Sequence, residues 1–334
     1  ANWYGYLTPE ITTHLDLWDA SMSATEVEYR IWRYQRWIRE TGLHGFYFDN
    51  AYSCQSANPD AGLGYVIDLP DRPDLDGQIQ PGYAWRGIRD MLKRLRTVIQ
   101  AEGQRPYLWL HATDTYAISA YAFADVLLDG ENLPMLTPQH PWFSEKWAPG
   151  YMQTLNDSGK WGLGLNMLDM RDGFGPHHLE PVARANFRDF SGYLMLHDVE
   201  GATWRYINWS GLDVKRPAEF LPYWDAPIAA ALSTGHTNVL ASAWRQDNRL
   251  MVIAFNRSSH TQRHLTVAID AAALGLNGQG FTVKDMDTEA REPVNLHWPL
   301  EAAMSFRNEG GKINVTVDMA PHDYRLLRIE PVKE

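Results

Sequence analysis

The pattern of apolar and polar positions divides the chain into two parts that meet near residue 232. Before that point, short apolar runs alternate with segments of helical periodicity. Residues 26–40 and 83–101 carry apolar side chains every three or four positions, which predicts two amphipathic helices. The apolar runs predict strands at 3–7, 45–48, 107–110, 126–128, 162–167 and 193–196.

Strands that alternate with helices are typical of a parallel sheet whose faces are covered. The predicted fold class is therefore α/β, a (β/α)8 barrel of the TIM type that occupies residues 1–232. Six strands can be counted where such a barrel has eight. The other two either escape the pattern or precede Ala1, in which case the barrel is incomplete at its N-terminus.

The pattern of apolar and polar residues changes in residues 233–334, where it predicts short strands that follow one another without helices between them. Turn residues such as Asn256-Arg-Ser-Ser and Gly310-Gly separate these strands. The pattern predicts a C-terminal antiparallel β-sandwich with a structural role. Its strands are predicted at 237–244, 250–256, 264–269, 280–285, 313–317 and 324–329.

Composition narrows the classes of partner. Fourteen Trp and sixteen Tyr in 334 residues supply flat rings of the kind that stack on sugars. A net charge of −11 argues against nucleic acid and anionic membranes, and more weakly against polyanionic glycans. The sequence contains no run of 18 apolar residues, so no membrane span is predicted. The single cysteine, Cys54, excludes disulfides within the chain and thiolate metal clusters.

No motif indicates a cofactor or a metal. The chain lacks a Gly-x-Ser-x-Gly elbow, a phosphate-binding P-loop and a His-Glu-x-x-His zinc motif. The pair His177-His178 has no third ligand at a suitable spacing, so neither cofactor nor metal is expected. A start at Ala1 fits a removed signal peptide, a removed tag or a fragment, and we expect a secreted or periplasmic protein.

Polar side chains follow five of the predicted strands, at the end where parallel α/β folds place their reactive groups. One such strand end would mean little, because Asp is common in turns and helix caps. Five on one edge of a sheet predict a site. In chain order they are Asp49 and Asn50, then His111, then Asp129 and Glu131, then Asp169 and Arg171, and finally His197 and Asp198.

Carboxylates of this kind suit the cleavage of a glycosidic bond. One carboxylate attacks or stabilises the anomeric carbon while a second, protonated group donates to the leaving oxygen. We predict Asp49 as the nucleophile and Glu131 as the general acid and base, with Asp129 as the competitor of Glu131. The predicted substrate-binding residues are Asn50, His111, Asp169, Arg171, His197 and Asp198, with Trp109 and Trp204 as candidate stacking rings.

Three segments resemble glycoside hydrolase family 123. They are Gly-Phe-Tyr-Phe-Asp-Asn at 45–50, Asp-Val-Leu-Leu-Asp-Gly-Glu-Asn at 125–132, and Ala-Ser-Ala-Trp-Arg at 241–245 followed by Leu-Met-Val-Ile-Ala-Phe-Asn at 250–256. The resemblance implies a (β/α)8 barrel with a C-terminal β-sandwich. It places Asp49 after the fourth strand and Glu131 after the sixth, as in the related barrels of retaining α-galactosidases.

The resemblance breaks at one position. Members of family 123 are N-acetylgalactosaminidases with adjacent Asp and Glu at a strand end, where the acetamide of the substrate acts as the nucleophile. The second position here is Asn50, which cannot donate a proton as an acid. The N-acetylgalactosamine specificity is therefore not carried over to this chain.

The leading hypothesis is a retaining glycoside hydrolase that acts on an oligosaccharide or polysaccharide. One alternative is a non-catalytic glycan-binding protein that kept the cleft of a glycosidase and lost its activity. Asn50, which stands where family 123 has an acid, is the reason for this alternative. Another is a polysaccharide lyase with His111 or Tyr116 as the base beside Arg171.

Overall fold

The computed structural model describes most of the chain in separate stretches. The chain forms two compact units, Ala1–Asp129 and Gly130–Glu334, called the first and second units below. The described residues are 23–48, 55–56, 64–111, 117–129, 142–159, 163–165, 181–199, 212–213, 216–278, 280–286 and 304–332.

The first unit contains helices packed on a parallel sheet. Strands β1 (Gly45–Phe48), β6 (Tyr107–His111) and β7 (Val126–Asp129) lie side by side and run in the same direction. The predicted strands at 45–48, 107–110 and 126–128 and both predicted helices are confirmed, whereas the predicted strand at 3–7 lies outside the described residues. The elements are α1 (Ala24–Thr41), β1 (Gly45–Phe48), β2 (Gln55–Ser56), β3 (Tyr65–Val66), β4 (Ile79–Gln80), β5 (Gly82–Tyr83), α2 (Trp85–Ala101), β6 (Tyr107–His111), α3 (Ile118–Tyr121) and β7 (Val126–Asp129).

Local signals in the sequence set the ends of α1. The Ser23 hydroxyl accepts a hydrogen bond from the backbone N–H of Glu26, which caps the helix N-terminus. Gly42 ends the helix in the left-handed conformation at φ 72°, which glycine adopts without a steric penalty. Apolar residues of α1 and α2 then form one core with the buried face of β6, and this core fixes the sheet against both helices.

The second unit carries the antiparallel β-sandwich. One sheet contains, in spatial order, β10 (Leu232–Ser233), β13 (Gln262–Asp270), β16 (Lys312–Met319) and β15 (Ser305–Glu309). The other contains, in spatial order, β14 (Phe281–Asp285), β17 (Asp323–Pro331), β12 (Arg249–Asn256), β11 (Val239–Gln246) and β9 (Glu219–Leu221). The fold class is thus α/β with a C-terminal antiparallel sandwich, as predicted. The elements are α4 (Phe143–Lys146), α5 (Pro149–Gly159), β8 (Leu163–Leu165), α6 (Pro181–Leu196), β9 (Glu219–Leu221), α7 (Ala226–Ala231), β10 (Leu232–Ser233), β11 (Val239–Gln246), β12 (Arg249–Asn256), β13 (Gln262–Asp270), β14 (Phe281–Asp285), β15 (Ser305–Glu309), β16 (Lys312–Met319) and β17 (Asp323–Pro331).

Strand β12 is buried on both faces, which explains its unbroken apolar sequence. Leu250 and Val252 point into the core between the two sheets. Met251, Ile253 and Phe255 point the other way, into a second core that includes α6. Alternate residues of one strand therefore join the sandwich to the helices of the second unit.

The second unit begins at Gly130 and not at the sandwich, because α6 packs on β12 and β17 of the five-stranded sheet and α4 packs on α6. The predicted boundary between 232 and 233 stays a prediction, as does the closure of eight strands into a barrel. Of the predicted barrel, the described residues contain β1, β6, β7 and β8.

The strand predicted at 193–196 is wrong, because these residues form the last turn of α6. The helix ends in a Schellman motif, in which the N–H of Asp198 bonds to the carbonyl of Met195 and the N–H of Val199 to that of Leu194. Asp198 takes the left-handed conformation at φ 51°, where glycine is the usual residue. Without that glycine, and with an apolar run buried on every side, the pattern reads as a strand.

Neither a membrane span nor a metal cluster is present among the described residues. None of their helices is long and apolar enough to cross a membrane. No group of three or more His, Cys, Asp or Glu side chains among them could hold a metal ion.

Candidate active site

The carboxyl ends of three parallel strands in the first unit lie at one edge of its sheet. Phe48, the last residue of β1, pairs with Leu110 of β6. His111, the last residue of β6, pairs with Leu128, the residue before Asp129. The register therefore aligns the predicted strand ends of β1, β6 and β7 to within about one residue.

The two faces of this sheet differ in character. Leu108 and Leu110 of β6 are fully buried against the helices. Trp109 points to the opposite face, and its ring lies edge-on to those of Tyr47 and Tyr107, with centroids 6.5 and 6.1 Å away. Trp109 is thus the centre of an aromatic group on the face away from the helices.

His111 follows on the same face as Trp109, because side chains alternate along a strand. It is almost completely buried, with 2% of its surface exposed. The position next to a strand end agrees with the prediction for His111, while its contact with a substrate stays a prediction.

The other predicted residues of the barrel edge cannot be placed in the same way. Strand β7 includes the backbone of Asp129, and its side chain is outside the description. Six of the predicted site residues lie outside the described stretches, namely Asp49, Asn50, Glu131, Asp169, Arg171 and Trp204.

His197 and Asp198 belong to the second unit and follow a helix, so the strand argument that assigned them to the edge of a sheet is wrong. His197 is fully buried. Its Nδ1 lies 2.8 Å from the carbonyl of Tyr193, and its Nε2 lies 3.0 Å from the hydroxyl of Tyr223. These contacts hold the imidazole inside the protein.

The proton on His197 can be assigned from its partners. A carbonyl only accepts hydrogen bonds, so Nδ1 carries the proton and Nε2 accepts one from Tyr223. The Tyr223 hydroxyl in turn accepts a bond of 3.3 Å from Gln153. Burial lowers the pKa of His197 to about 4, so the ring is neutral at pH 7.

Asp198 is also tied to the sandwich. The indole Nε1 of Trp244, in β11, donates a hydrogen bond of 2.9 Å to its carboxylate. Trp244 is itself 2% exposed. Asp198 therefore links the end of α6 to the five-stranded sheet.

A buried polar cluster in the second unit was missed by sequence reasoning. The Ser144 hydroxyl donates a hydrogen bond of 2.5 Å to Oδ1 of Asp189, and its backbone N–H donates to Oδ2 at 3.0 Å. Nδ1 of His322 lies 3.2 Å from the same hydroxyl. The three residues are separated by 45 and 178 positions, so no local motif announces them.

This serine, histidine and aspartate are not arranged as a hydrolytic triad. The serine proton goes to the aspartate instead of the histidine, and all three side chains are at most 2% exposed. The ring of Trp142 stacks on His322 with centroids 4.6 Å apart. The cluster is a structural connection between α4, α6 and the turn before β17.

Charge in this cluster depends on pH. Burial raises the pKa of Asp189 to about 7, although hydrogen bonds from Ser144 act in the opposite sense. Burial also lowers the pKa of His322. Oε1 of Glu145 lies 3.1 Å from Nε2 of His322, and its charge acts in the opposite sense on the pKa of the ring.

Comparison with known proteins finds similar solved structures but no family for this chain. No protein-family model matches the chain. No curated protein sequence matches it significantly. The family 123 resemblance therefore has no support from a sequence match.

Similar solved structures include two α-amylases and an α-galactosidase. The α-amylase of Geobacillus thermoleovorans in complex with acarbose is 11% identical over 93% of this chain and 65% of its own, with a TM-score of 0.47. An Anoxybacillus α-amylase is 13% identical over 94% of this chain and 65% of its own, with a TM-score of 0.46. α-Galactosidase I of Mortierella vinacea is 11% identical over 90% and 71%, with a TM-score of 0.44.

This chain thus spans about 65% of the length of the two α-amylases. All three TM-scores are below 0.5, and the likeness is too weak to carry a conclusion about fold or activity.

Proposed function

We propose that this protein is a glycoside hydrolase whose acidic groups lie at the carboxyl edge of the β1-β6-β7 sheet. The observation that carries the proposal is the register of the three strands, which pairs Phe48 with Leu110 and His111 with Leu128. Asp49 follows Phe48 directly in the chain.

The spacing of the strands suits a pair of carboxylates. Neighbouring strands lie about 4.8 Å apart, so the backbones of β1 and β7, on either side of β6, are about 10 Å apart. Carboxyl groups that project toward each other from such positions can reach the separations of about 5–5.5 Å and about 6.5–9.5 Å that retaining and inverting glycosidases use. Asp129 belongs to β7, and Glu131 comes two residues later.

We assign Asp49 as the nucleophile and Glu131 as the general acid and base, which makes the proposed enzyme a retaining one. Asp129 is the alternative acid. An oligosaccharide or polysaccharide is the proposed substrate, and His111, on the central strand, is the proposed partner of one of its hydroxyls. A secreted or periplasmic location is part of the same proposal.

Release of reducing sugar from a broad glycan panel tests the proposal, with wild type compared with Asp49→Asn, Glu131→Gln and Asp129→Asn. Glu28→Gln, an exposed position on α1, is the control for the loss of a carboxylate. We expect release by wild type and the control, and a loss of at least about a hundredfold in Asp49→Asn and Glu131→Gln.

The other outcomes select the alternatives. A stronger effect of Asp129→Asn than of Glu131→Gln would exchange the two acids. Saturable glycan binding without release by wild type would favour the non-catalytic glycan-binding protein. Products that absorb in the ultraviolet would favour the polysaccharide lyase.

A further inference from the structure

An aromatic pair stands at the start of α2, after the long segment that joins β1 to this helix. The rings of Tyr83 and Trp85 are stacked, with centroids 5.6 Å apart and planes inclined by 27°. Tyr83 is 49% exposed, and Trp85 is partly buried. Behind them, the ring of Tyr121 in α3 meets Trp85 edge-on at 6.1 Å and holds it in place.

The direction of α2 shows at which edge of the sheet this pair lies. In the second half of α2, Arg96 forms an ion pair of 2.6 Å with Asp125, the residue before β7. The same carboxylate accepts a hydrogen bond from the backbone N–H of Leu108, near the start of β6. Arg96 is therefore at the amino edge of the sheet.

Trp85 is eleven residues before Arg96 in the same helix, a rise of about 16 Å. The five residues of β6 span about 13 Å, so the helix reaches at least as far as the last residue of the strand. The first turn of α2 consequently lies at the level of the carboxyl edge, where β1, β6 and β7 end.

Other apolar side chains of the β1–α2 segment are also exposed. Val66 and Ile79 form a cross-strand pair of the β3–β4 hairpin, with 57% and 43% of their surfaces exposed. They form a small exposed apolar pair in the same segment as Tyr83. A folded turn also supports them, because the N–H of Leu69 donates to the carboxylate of Asp76 at 2.9 Å.

The charge of this region separates two classes of glycan. Residues 64–90 contain five aspartates and three arginines. Two of the arginines are already engaged, Arg72 with the carboxylate of Asp74 and Arg89 with the carbonyl of Ser119. A polyanionic glycan would meet net negative charge here, whereas a neutral sugar would not.

We infer that Tyr83, backed by Trp85, forms a subsite whose exposed ring stacks on the C–H face of a neutral pyranose ring, so that the substrate is a neutral glycan. This inference rests on the proposed function, because it assigns Tyr83 and Trp85 to the substrate site of the proposed hydrolase. Trp85 covers one face of the Tyr83 ring and supports it, so a sugar would stack on the other face, and a ring supported in this way loses little conformational freedom when a sugar binds.

The test compares Tyr83→Ala with Tyr65→Ala, a tyrosine of the same segment that is 63% exposed. Circular dichroism and thermal unfolding first establish that both variants are folded. The probes are malto-, cello- and galacto-oligosaccharides of two to six units and oligogalacturonides of the same lengths. Hydrolysis gives kcat and KM for each, and calorimetry gives the binding affinity independently of turnover.

We expect Tyr83→Ala to raise KM for neutral tetra- to hexasaccharides at least fivefold, with kcat within about twofold of wild type. Tyr65→Ala should leave both constants unchanged. Equal constants for the two variants, with wild type active, would overturn the subsite and leave the proposed function standing. A preference of wild type for oligogalacturonides would overturn the neutral class.

Binding without hydrolysis separates the two proposals in the other direction. If wild type cleaves no probe but binds neutral oligosaccharides, and Tyr83→Ala weakens that binding, the subsite stands and the hydrolase fails. If wild type neither binds nor cleaves any probe, the inference and the proposed function are both wrong.

Discussion

The hydroxyl of Tyr223 lies 3.0 Å from Nε2 of His197, and this contact stabilises the neutral imidazole at the end of α6. The other ring nitrogen donates to the carbonyl of Tyr193. A proton added to Nε2 would meet a hydroxyl that must turn around, inside a buried site with little access to water. The end of the helix should therefore be sensitive to acid.

The protonation of His197 should make the stability of the protein depend on pH. The pKa of His197 is lowered to about 4 in the folded protein, against about 6.5 in the unfolded chain. The unfolded state binds the extra proton between these values, so the stability from His197 is present above pH 6.5 and is lost as pH falls toward 4. The free energy of unfolding of wild type should fall by about 2 to 3 kcal/mol more than that of His197→Gln between pH 7.5 and 4.5.

Urea unfolding at both pH values measures this difference, with His260→Gln at an exposed position as the control. Equal pH dependence in wild type and His197→Gln would contradict the buried neutral imidazole.

Asp189 should have the opposite pH dependence. Its pKa is raised to about 7 in the folded state, so the folded protein holds a proton that the unfolded chain, with a pKa near 3.8, has lost. The stability from this group is full below pH 3.8 and is lost as pH rises to 7. Between pH 4.5 and 8 this group should lower the free energy of unfolding of wild type by about 3 kcal/mol. Asp189→Asn, which cannot ionise, should not show this decrease.

The measurement is again urea unfolding, here compared with Asp90→Asn on the exposed side of α2. A wild type and an Asp189→Asn variant whose stabilities change in parallel from pH 4.5 to 8 would rule out a protonated carboxyl in the cluster with Ser144 and His322.

Two glycine substitutions should act in opposite directions. A Cβ at Gly192 of α6 would lie 2.5 Å from a ring carbon of Tyr324 and 2.9 Å from one of Phe255, both in the buried core. Gly192→Ala should therefore destabilise the protein by about 1–3 kcal/mol. A Cβ at Gly150 of α5 would meet nothing within 4 Å, so Gly150→Ala should stabilise it by about 0.5–1 kcal/mol.

Thermal and urea unfolding of the two variants check this contrast. A stabilising Gly192→Ala would mean that α6 does not approach β12 and β17 as closely as described.

The sequence predicts the fold best where one face of an element is buried. Strand β16 alternates between buried and exposed residues, and α2 buries Ile88, Leu92, Leu95 and Ile99 at helical spacing. Strand β15 escaped prediction because it is mostly exposed and has no apolar alternation. The sequence at the end of α6 predicts a strand because its residues are buried on every side and helical periodicity is lost.

The predicted site shows the same limits. His111 could be placed at a strand end because a parallel sheet brings strand ends together whatever the loops do. The cluster of Ser144, Asp189 and His322 depends on contacts between residues far apart in the chain, for which the sequence contains no spacing rule. The subsite at Tyr83 and Trp85 likewise needs the direction of α2, which the ion pair of Arg96 reveals.

The central claim is that two carboxylates at the carboxyl edge of the sheet cleave glycosidic bonds, with Glu131 as the acid. The most direct test is the rate of Glu131→Gln on two substrates with the same sugar, a natural oligosaccharide and an aryl glycoside with a dinitrophenolate leaving group. We predict that the rate falls at least about a hundredfold on the oligosaccharide. On the aryl glycoside the rate of the first chemical step should fall only slightly, because the dinitrophenolate leaves without protonation. Equal losses on both substrates, or none on either, would contradict it.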